Sequence, residues 1–373
     1  MHPQNIGISL FLFLLYLILP HSFMVPKMVN VIFSTLTSFM IFLLYKELNK
    51  NRKRNEYGLL VLSCLFLPSV FMNNIVYNDV ISTSLLICAV FFAIKYVRCG
   101  KCVYWFLFSA FLSIGNYFRS IGMIFLVAIA FYILFNTRNI KNTAAALLMT
   151  VLVFMMPSFA INKMIEYKGN LTEPIGKNSA PVLMWINMGM CRDTLGFWDG
   201  GKSYDIYFRS DWNKEASQKL YIEEIRNNIQ TQPVMNLLSH YSVKTFWVWT
   251  EGTYQYELYG LGYHSLGGYM YNTPANQFLD DQFPYRENIR WIVYVFNFVM
   301  YCLIAVSVLV SIREGDFKEE LLLLIILGFI AFYILWEIKS RYLYPCFPYI
   351  LILSYTGMRR IIDALYKIKD QYF

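Results

Sequence analysis

The sequence predicts an all-α polytopic membrane protein, and three observations carry that prediction. The chain of 373 residues is 57% apolar and only 15% charged, too little charge to cover a water-soluble surface of that size. Apolar runs of roughly 16 to 22 residues recur along it, enough to cross a hydrocarbon core of about 30 Å at about 1.5 Å per residue. Basic residues crowd alternate connections between those runs. Because backbone groups in lipid must bond within their own segment, the runs are expected as helices.

Nine spans follow, at 28–45, 57–73, 80–97, 103–116, 120–136, 143–162, 291–312, 320–336 and 342–358. A shorter run, 5–19, is expected as a juxtamembrane helix. The sequence thus divides into an N-terminal transmembrane region (1–162), one long loop domain (163–290) and a C-terminal transmembrane region with a short tail (291–373). Within the loop, Leu220, Ile225, Ile229 and Val234 recur at helical spacing, and Pro233 breaks the pattern into two short helices. The Tyr- and Gly-rich stretch after it reads as irregular.

The net charge of +8 reflects topology rather than nucleic-acid binding. With these spans, 16 of the 32 Lys and Arg fall on one side, 15 in the connections after 28–45, 80–97, 120–136 and 291–312 and in the C-terminal tail, and Lys95 at the end of its span. By the positive-inside rule that side is cytoplasmic, as is the C-terminus. The seven cysteines are scattered and form no disulfide framework, and Cys99-Gly-Lys-Cys102 has no second pair to make a metal site. The run 6–19 lacks the basic start and cleavage site of a signal peptide, and Asn170-Leu-Thr172 is a glycosylation sequon of little weight. No internal repeat and no phosphate-binding Gly-rich loop occurs.

The remaining charges gather on the other, non-cytoplasmic side: the Asn78-Asp79 pair, Arg119, and Glu337, Lys339 and Arg341. An ionisable residue at such depth is a functional hypothesis by default, although Asp79 also suits a helix N-terminus and Lys339 a snorkelling anchor. Cations at headgroup depth beside a carboxylate suit a lipid-linked phosphate, and glycosyl transfer from such a carrier needs a base for the acceptor and cations for the departing phosphate.

Several segments carry a resemblance. "IVYNDVISTSLLICAVFFAIKY" resembles the Asp-bearing second external loop and following span of the GT-C fold glycosyltransferases related to protein O-mannosyltransferases. "GNYFRSIGMIFLVAIAFYILF" resembles their Gly-x-x-x-(Lys/Arg)-x-x-Gly span, and "SRYLYPCFPYILILSYTG" their final Arg-Tyr-x-x-Pro-x-x-Pro segment. "HPQNIGISLFLFLLYLIL" and "KMVNVIFSTLTSFMIFLLYKEL" are similar to their juxtamembrane segment and second span. The resemblance implies a GT-C-like membrane glycosyltransferase that moves a sugar from polyprenyl phosphate to a glycan, lipid or protein acceptor outside the membrane. It places Asp79 as the catalytic carboxylate, at the acidic second-loop position near the active site, Arg119 and Arg341 near the carrier phosphate, and His2 at a basic position before the proline. Glu337 and Lys339 join the substrate-binding set. No cofactor is expected, and metal dependence stays open. The family begins with a further span and a loop bearing its principal catalytic Asp, whereas no Asp precedes Asp79 here. The expectation is therefore a start that lies upstream, or a truncated, inactive remnant. Other polysaccharide machinery, a polymerase or flippase, is the alternative reading.

Overall fold

In the computed structural model, which describes residues 5–50, 56–137, 140–261 and 284–372, the predicted apolar runs all fold as helices. The first membrane region contains α1 (Ile6–Ile18), α2 (Met24–Leu48), α3 (Tyr57–Cys64), α4 (Leu67–Met72), α5 (Asp79–Cys99), α6 (Cys102–Phe118), α7 (Gly122–Asn136) and α8 (Ile140–Lys168). The loop supplies α9 (Val182–Met190), α10 (Gly200–Arg209), α11 (Lys214–Thr231), α12 (Val234–Thr250) and a π-helical turn, Glu257–Leu261. The second membrane region is α13 (Pro284–Glu314), α14 (Glu320–Leu335), a 3₁₀ segment (Ser340–Cys346) and α15 (Phe347–Tyr372). The chain is all-α and polytopic: α2, α5, α8 and α13 are long and apolar enough to cross a membrane, with α1, α6, α7 and α14 as shorter apolar helices.

Two runs depart from the expectation of single spans. Residues 57–73 form α3 and α4, broken at Leu65 and Phe66 with Pro68 in the first turn of α4. Proline has no N–H to give and suits a helix start, so it restarts the helix rather than continuing it. The run 342–358 begins as the 3₁₀ segment, which contains Pro345, and becomes α-helical only from Phe347.

At the centre lies α5, buried along most of its length and packed on α2 and α6. Around it α7 packs on α14, α6 on α8, and α13 on α15. The last pair crosses backbone to backbone: a Cβ at Gly357 would collide with the Leu303 carbonyl, so only glycine fits. In contrast, α8 is largely unburied, as a helix bordering lipid would be.

At one end of the bundle, Glu47 collects Lys50 (2.6 Å), Lys95 (2.7 Å) and Arg98 (3.2 Å), and Arg359 faces Glu56 at 3.4 Å. The basic residues expected on one side therefore converge there. The loop helices stand at the other end. α9, α10 and α11 share a small core of Met184, Met188, Tyr207 and Tyr221. The side chain of Asn213 caps α11 by accepting from the Glu215 and Ala216 amides, each at 3.0 Å. Pro233 separates α11 from α12, as its position in the sequence predicts.

Candidate functional site

Five of the six residues singled out from the sequence meet at the loop end of the bundle. Asp79 opens α5, where the helix dipole favours a carboxylate. Arg119 is the residue at which α6 ends, in extended conformation. Two hydrogen bonds hold those helix ends together: Asn78 Nδ2 donates to the Phe118 carbonyl (2.9 Å) and Ser82 Oγ to the Gly115 carbonyl (2.9 Å). The result is a direct ion pair between Arg119 Nη1 and Asp79 Oδ1. Both residues are buried, at 8% and 1% exposure.

Arg341 approaches the same carboxylate from the 3₁₀ segment, its Nε 3.6 Å from Asp79 Oδ2. That separation is an ion pair but not a hydrogen bond. The guanidinium is instead held between aromatic faces, 4.2 Å from the Tyr259 ring centroid and 5.0 Å from that of Tyr77. Arg341 Nε and Asp79 Oδ2 both lack a hydrogen-bond partner among the described residues. Arg119 in turn lies over the Tyr342 ring at 5.3 Å.

Glu337 and Lys339 form the adjoining pair, 3.6 Å apart. Tyr342 donates its hydroxyl to Glu337 Oε2 at 3.0 Å. Burial pushes the Glu337 carboxyl above the ordinary range and the Lys339 ammonium below its own. The Lys339 ammonium also lies over the Trp198 ring at 5.4 Å, which brings the loop into the cluster. His2 lies outside the described residues. Counted together, Asp79 and Glu337 against Arg119, Lys339 and Arg341 leave one positive charge.

What fixes the segment 336–338 is the loop itself. Glu337 N donates to the Trp185 carbonyl (3.0 Å) and Ile338 N to the Gly196 carbonyl (2.9 Å). Lys244, at 0% exposure, donates to three carbonyls: Gly189 (2.8 Å), Ile334 (3.0 Å) and Trp336 (2.6 Å). Burial brings its ammonium down to about 7. A Cβ at Gly189 would strike the Leu335 and Trp336 backbone.

Sequence reasoning missed Lys244 and the aromatic partners. Tyr77 and Tyr342 stand two residues and one residue from Asp79 and Arg341, which is the signal that was available. Tyr259 belongs to the Tyr-rich stretch that reads as irregular in the sequence; it lies in the π-helical turn, and its ring faces the Arg341 guanidinium. His240 Nε2 donates to the Gly189 carbonyl at 3.0 Å, a packing role. Cys99 and Cys102 are both exposed and unbonded. Among the described residues, no group of three or more His, Cys, Asp or Glu side chains is placed to hold a metal ion.

No curated protein and no solved structure matches the chain. Residues 2–161, which include Asp79 and Arg119, match the family model described as dolichyl-phosphate-mannose-protein mannosyltransferase. The match falls on the segments that carry the Asn-Asp and Gly-x-x-x-Arg resemblance, and together with the all-α polytopic fold it is consistent with a GT-C-like membrane glycosyltransferase.

Proposed function

We propose that the chain transfers a sugar from a polyprenyl-phosphate carrier to an acceptor on the non-cytoplasmic side of the membrane. The single observation that carries this reading is the state of Arg341. Its guanidinium is positioned by two tyrosine rings and a carboxylate 3.6 Å away, and its buried Nε has no hydrogen-bond partner among the described residues. A planar fork of donors held ready at the end of a bundle suits a phosphate. The net positive charge of the cluster suits the same ligand.

The roles divide by environment. Arg341 and Arg119 bind the carrier phosphate and stabilise it as it leaves. Asp79 faces two guanidiniums, which makes it a poor base and a good organiser of both cations. Glu337 is pushed upward by burial and is the better proton acceptor of the two carboxylates. In the transfer, an acceptor oxygen bonds to the anomeric carbon as the bond from that carbon to the phosphate oxygen breaks. The acceptor proton passes to the base, and a direct displacement inverts the anomeric centre. Lys339 completes the rim, and His2 joins the set by its place in the sequence. In this reading the chain divides into two membrane regions and a loop domain at 163–290, with the donor's lipid chain among the helices and the acceptor on the loop side. The cytoplasmic side is then the end where Glu47 collects its basic partners.

The test uses the carrier alone, because it needs no knowledge of the sugar. Native mass spectrometry of the full chain in detergent with decaprenyl phosphate is expected to show a bound lipid that Arg341→Ala loses. Equal retention by the variant would remove Arg341 from the carrier site.

A further inference from the structure

A cavity lies in the loop domain, walled by residues of α9, α10 and α11 and of the turn after α9. It has a volume of about 1010 Å³, at the upper end of the roughly 300–1,000 Å³ of small-ligand sites. The cavity and the charged cluster are joined through consecutive residues: the Trp198 ring lies under the Lys339 ammonium, while Asp199 lines the cavity. Trp185 accepts from Glu337 N, and Asn187, two residues along α9, is also in the wall.

The wall chemistry is specific. Asn187, Thr194 and Gln232 each keep a buried side-chain oxygen with no hydrogen-bond partner among the described residues. Such atoms are rare in folded proteins, and three on one cavity call for an external donor. Asn228 adds a further amide, one helical turn before Gln232. The ionisable lining is Arg192, Asp193, Asp199, Asp205, Arg209 and Glu224, four carboxylates against two guanidiniums. Arg209 is moreover ion-paired with Asp205. A ligand here must therefore be rich in hydroxyl donors, large enough for a cavity of this size, and not anionic.

We propose that this cavity binds a neutral or amino-bearing oligosaccharide, the acceptor glycan of the transfer. That the saccharide is the acceptor rests on the transfer reading above; that it binds does not. Amides and carboxylates accept from sugar hydroxyls, and the excess of carboxylates rejects acidic glycans. The position beside Trp198 and Lys339 leads one end of the glycan toward the charged cluster.

The experiment is retention of the full chain, in detergent, on an array of immobilised neutral, amino-bearing and acidic oligosaccharides. Retention by members of the first two classes is expected. The double variant Asn228→Ala, Gln232→Ala is expected to lose it by tenfold or more with an unchanged melting temperature. Because that pair sits at the C-terminal end of α11, Glu224→Lys serves as the second variant, and it should shift the preference toward acidic glycans. No retention of neutral or amino-bearing glycans, or preference of the unaltered chain for acidic ones, overturns the proposal. So does equal retention by both variants. Arg341→Ala separates the two readings: it should keep glycan retention while losing decaprenyl phosphate. If it keeps the lipid, the carrier reading fails and the glycan site stands.

Discussion

Arg341 stands 3.6 Å from the oxygen of Asp79 that Arg119 leaves free, so one buried carboxylate orients two guanidiniums and hydrogen-bonds only one. The two arginines therefore differ in availability. Arg341→Lys keeps the charge but loses the planar fork and the stacking on Tyr77 and Tyr259. Transfer activity, followed as labelled surface glycan in a strain complemented by the chain, should fall at least tenfold in Arg341→Lys and further in Arg341→Ala. Activity within twofold of the parent for the lysine variant would show that charge alone suffices.

Asp79→Asn tests the other half of the relationship. Removing one partner of a buried pair costs about 3–5 kcal/mol, because the remaining charge is left without compensation. Here two guanidiniums lose it at once, so the upper part of that range is expected as a lowered melting temperature in detergent. The double variant Asp79→Asn, Arg119→Gln should recover part of the loss. An unchanged melting temperature for Asp79→Asn would mean that the pair carries no structural role.

How much of this was legible beforehand depends on what each feature requires. The helices were legible because lipid leaves the backbone no alternative, and the charged residues were legible because burying them needs a reason. Grouping Asp79, Arg119, Glu337, Lys339 and Arg341 needed only the parity of the spans. Their partners were not legible: that Tyr259 faces Arg341 depends on a path through the loop that no periodicity encodes. The partner of Glu337 was likewise not legible, because the hydroxyl that Tyr342 donates to it comes from a 3₁₀ turn that the apolar run does not announce.

Glu337 gives a prediction in pH. Burial raises its carboxyl above the ordinary value of 4.5, so it takes up a proton at a higher pH than a solvated glutamate would. A base must be ionised to act, and activity should therefore fall as pH is lowered through that raised value. Glu337→Gln should lose most of the rate and flatten the acidic limb of the profile in membrane vesicles. A variant that keeps the parent's limb would assign the limb to another group.

Gly189 couples the loop to the membrane region. Any side chain there meets the backbone of Leu335 and Trp336, so Gly189→Ala must push α9 away from the segment that carries Glu337. The Trp185 and Gly196 carbonyls would then lose their contacts with Glu337 N and Ile338 N. Limited proteolysis is expected to cut the 163–290 loop several times faster in this variant, with glycan transfer reduced in parallel. Parent-like proteolysis would show that α9 yields without losing its seat.

Lys244 provides the last test, because its burial sets two effects against each other. Three carbonyls match the three donors of an ammonium, yet exclusion from water brings the group to about 7 from an ordinary 10.5. A fall of that size corresponds to a proton held roughly 5 kcal/mol less tightly in the folded chain, as an order of magnitude. The sign follows from linkage: between pH 7 and 10.5 the unfolded chain holds the proton more often, so folding stability contributed by this site rises with pH. Below pH 7 both states are protonated and the cost of burial is fully present. Lys244→Met removes the ionisation while keeping the length of the side chain. Melting temperatures from pH 6 to 9 in detergent should rise less steeply for the variant than for the parent, with the difference opening above pH 7. Parallel curves would mean that Lys244 keeps its proton throughout, held by the three carbonyls against the pull of burial.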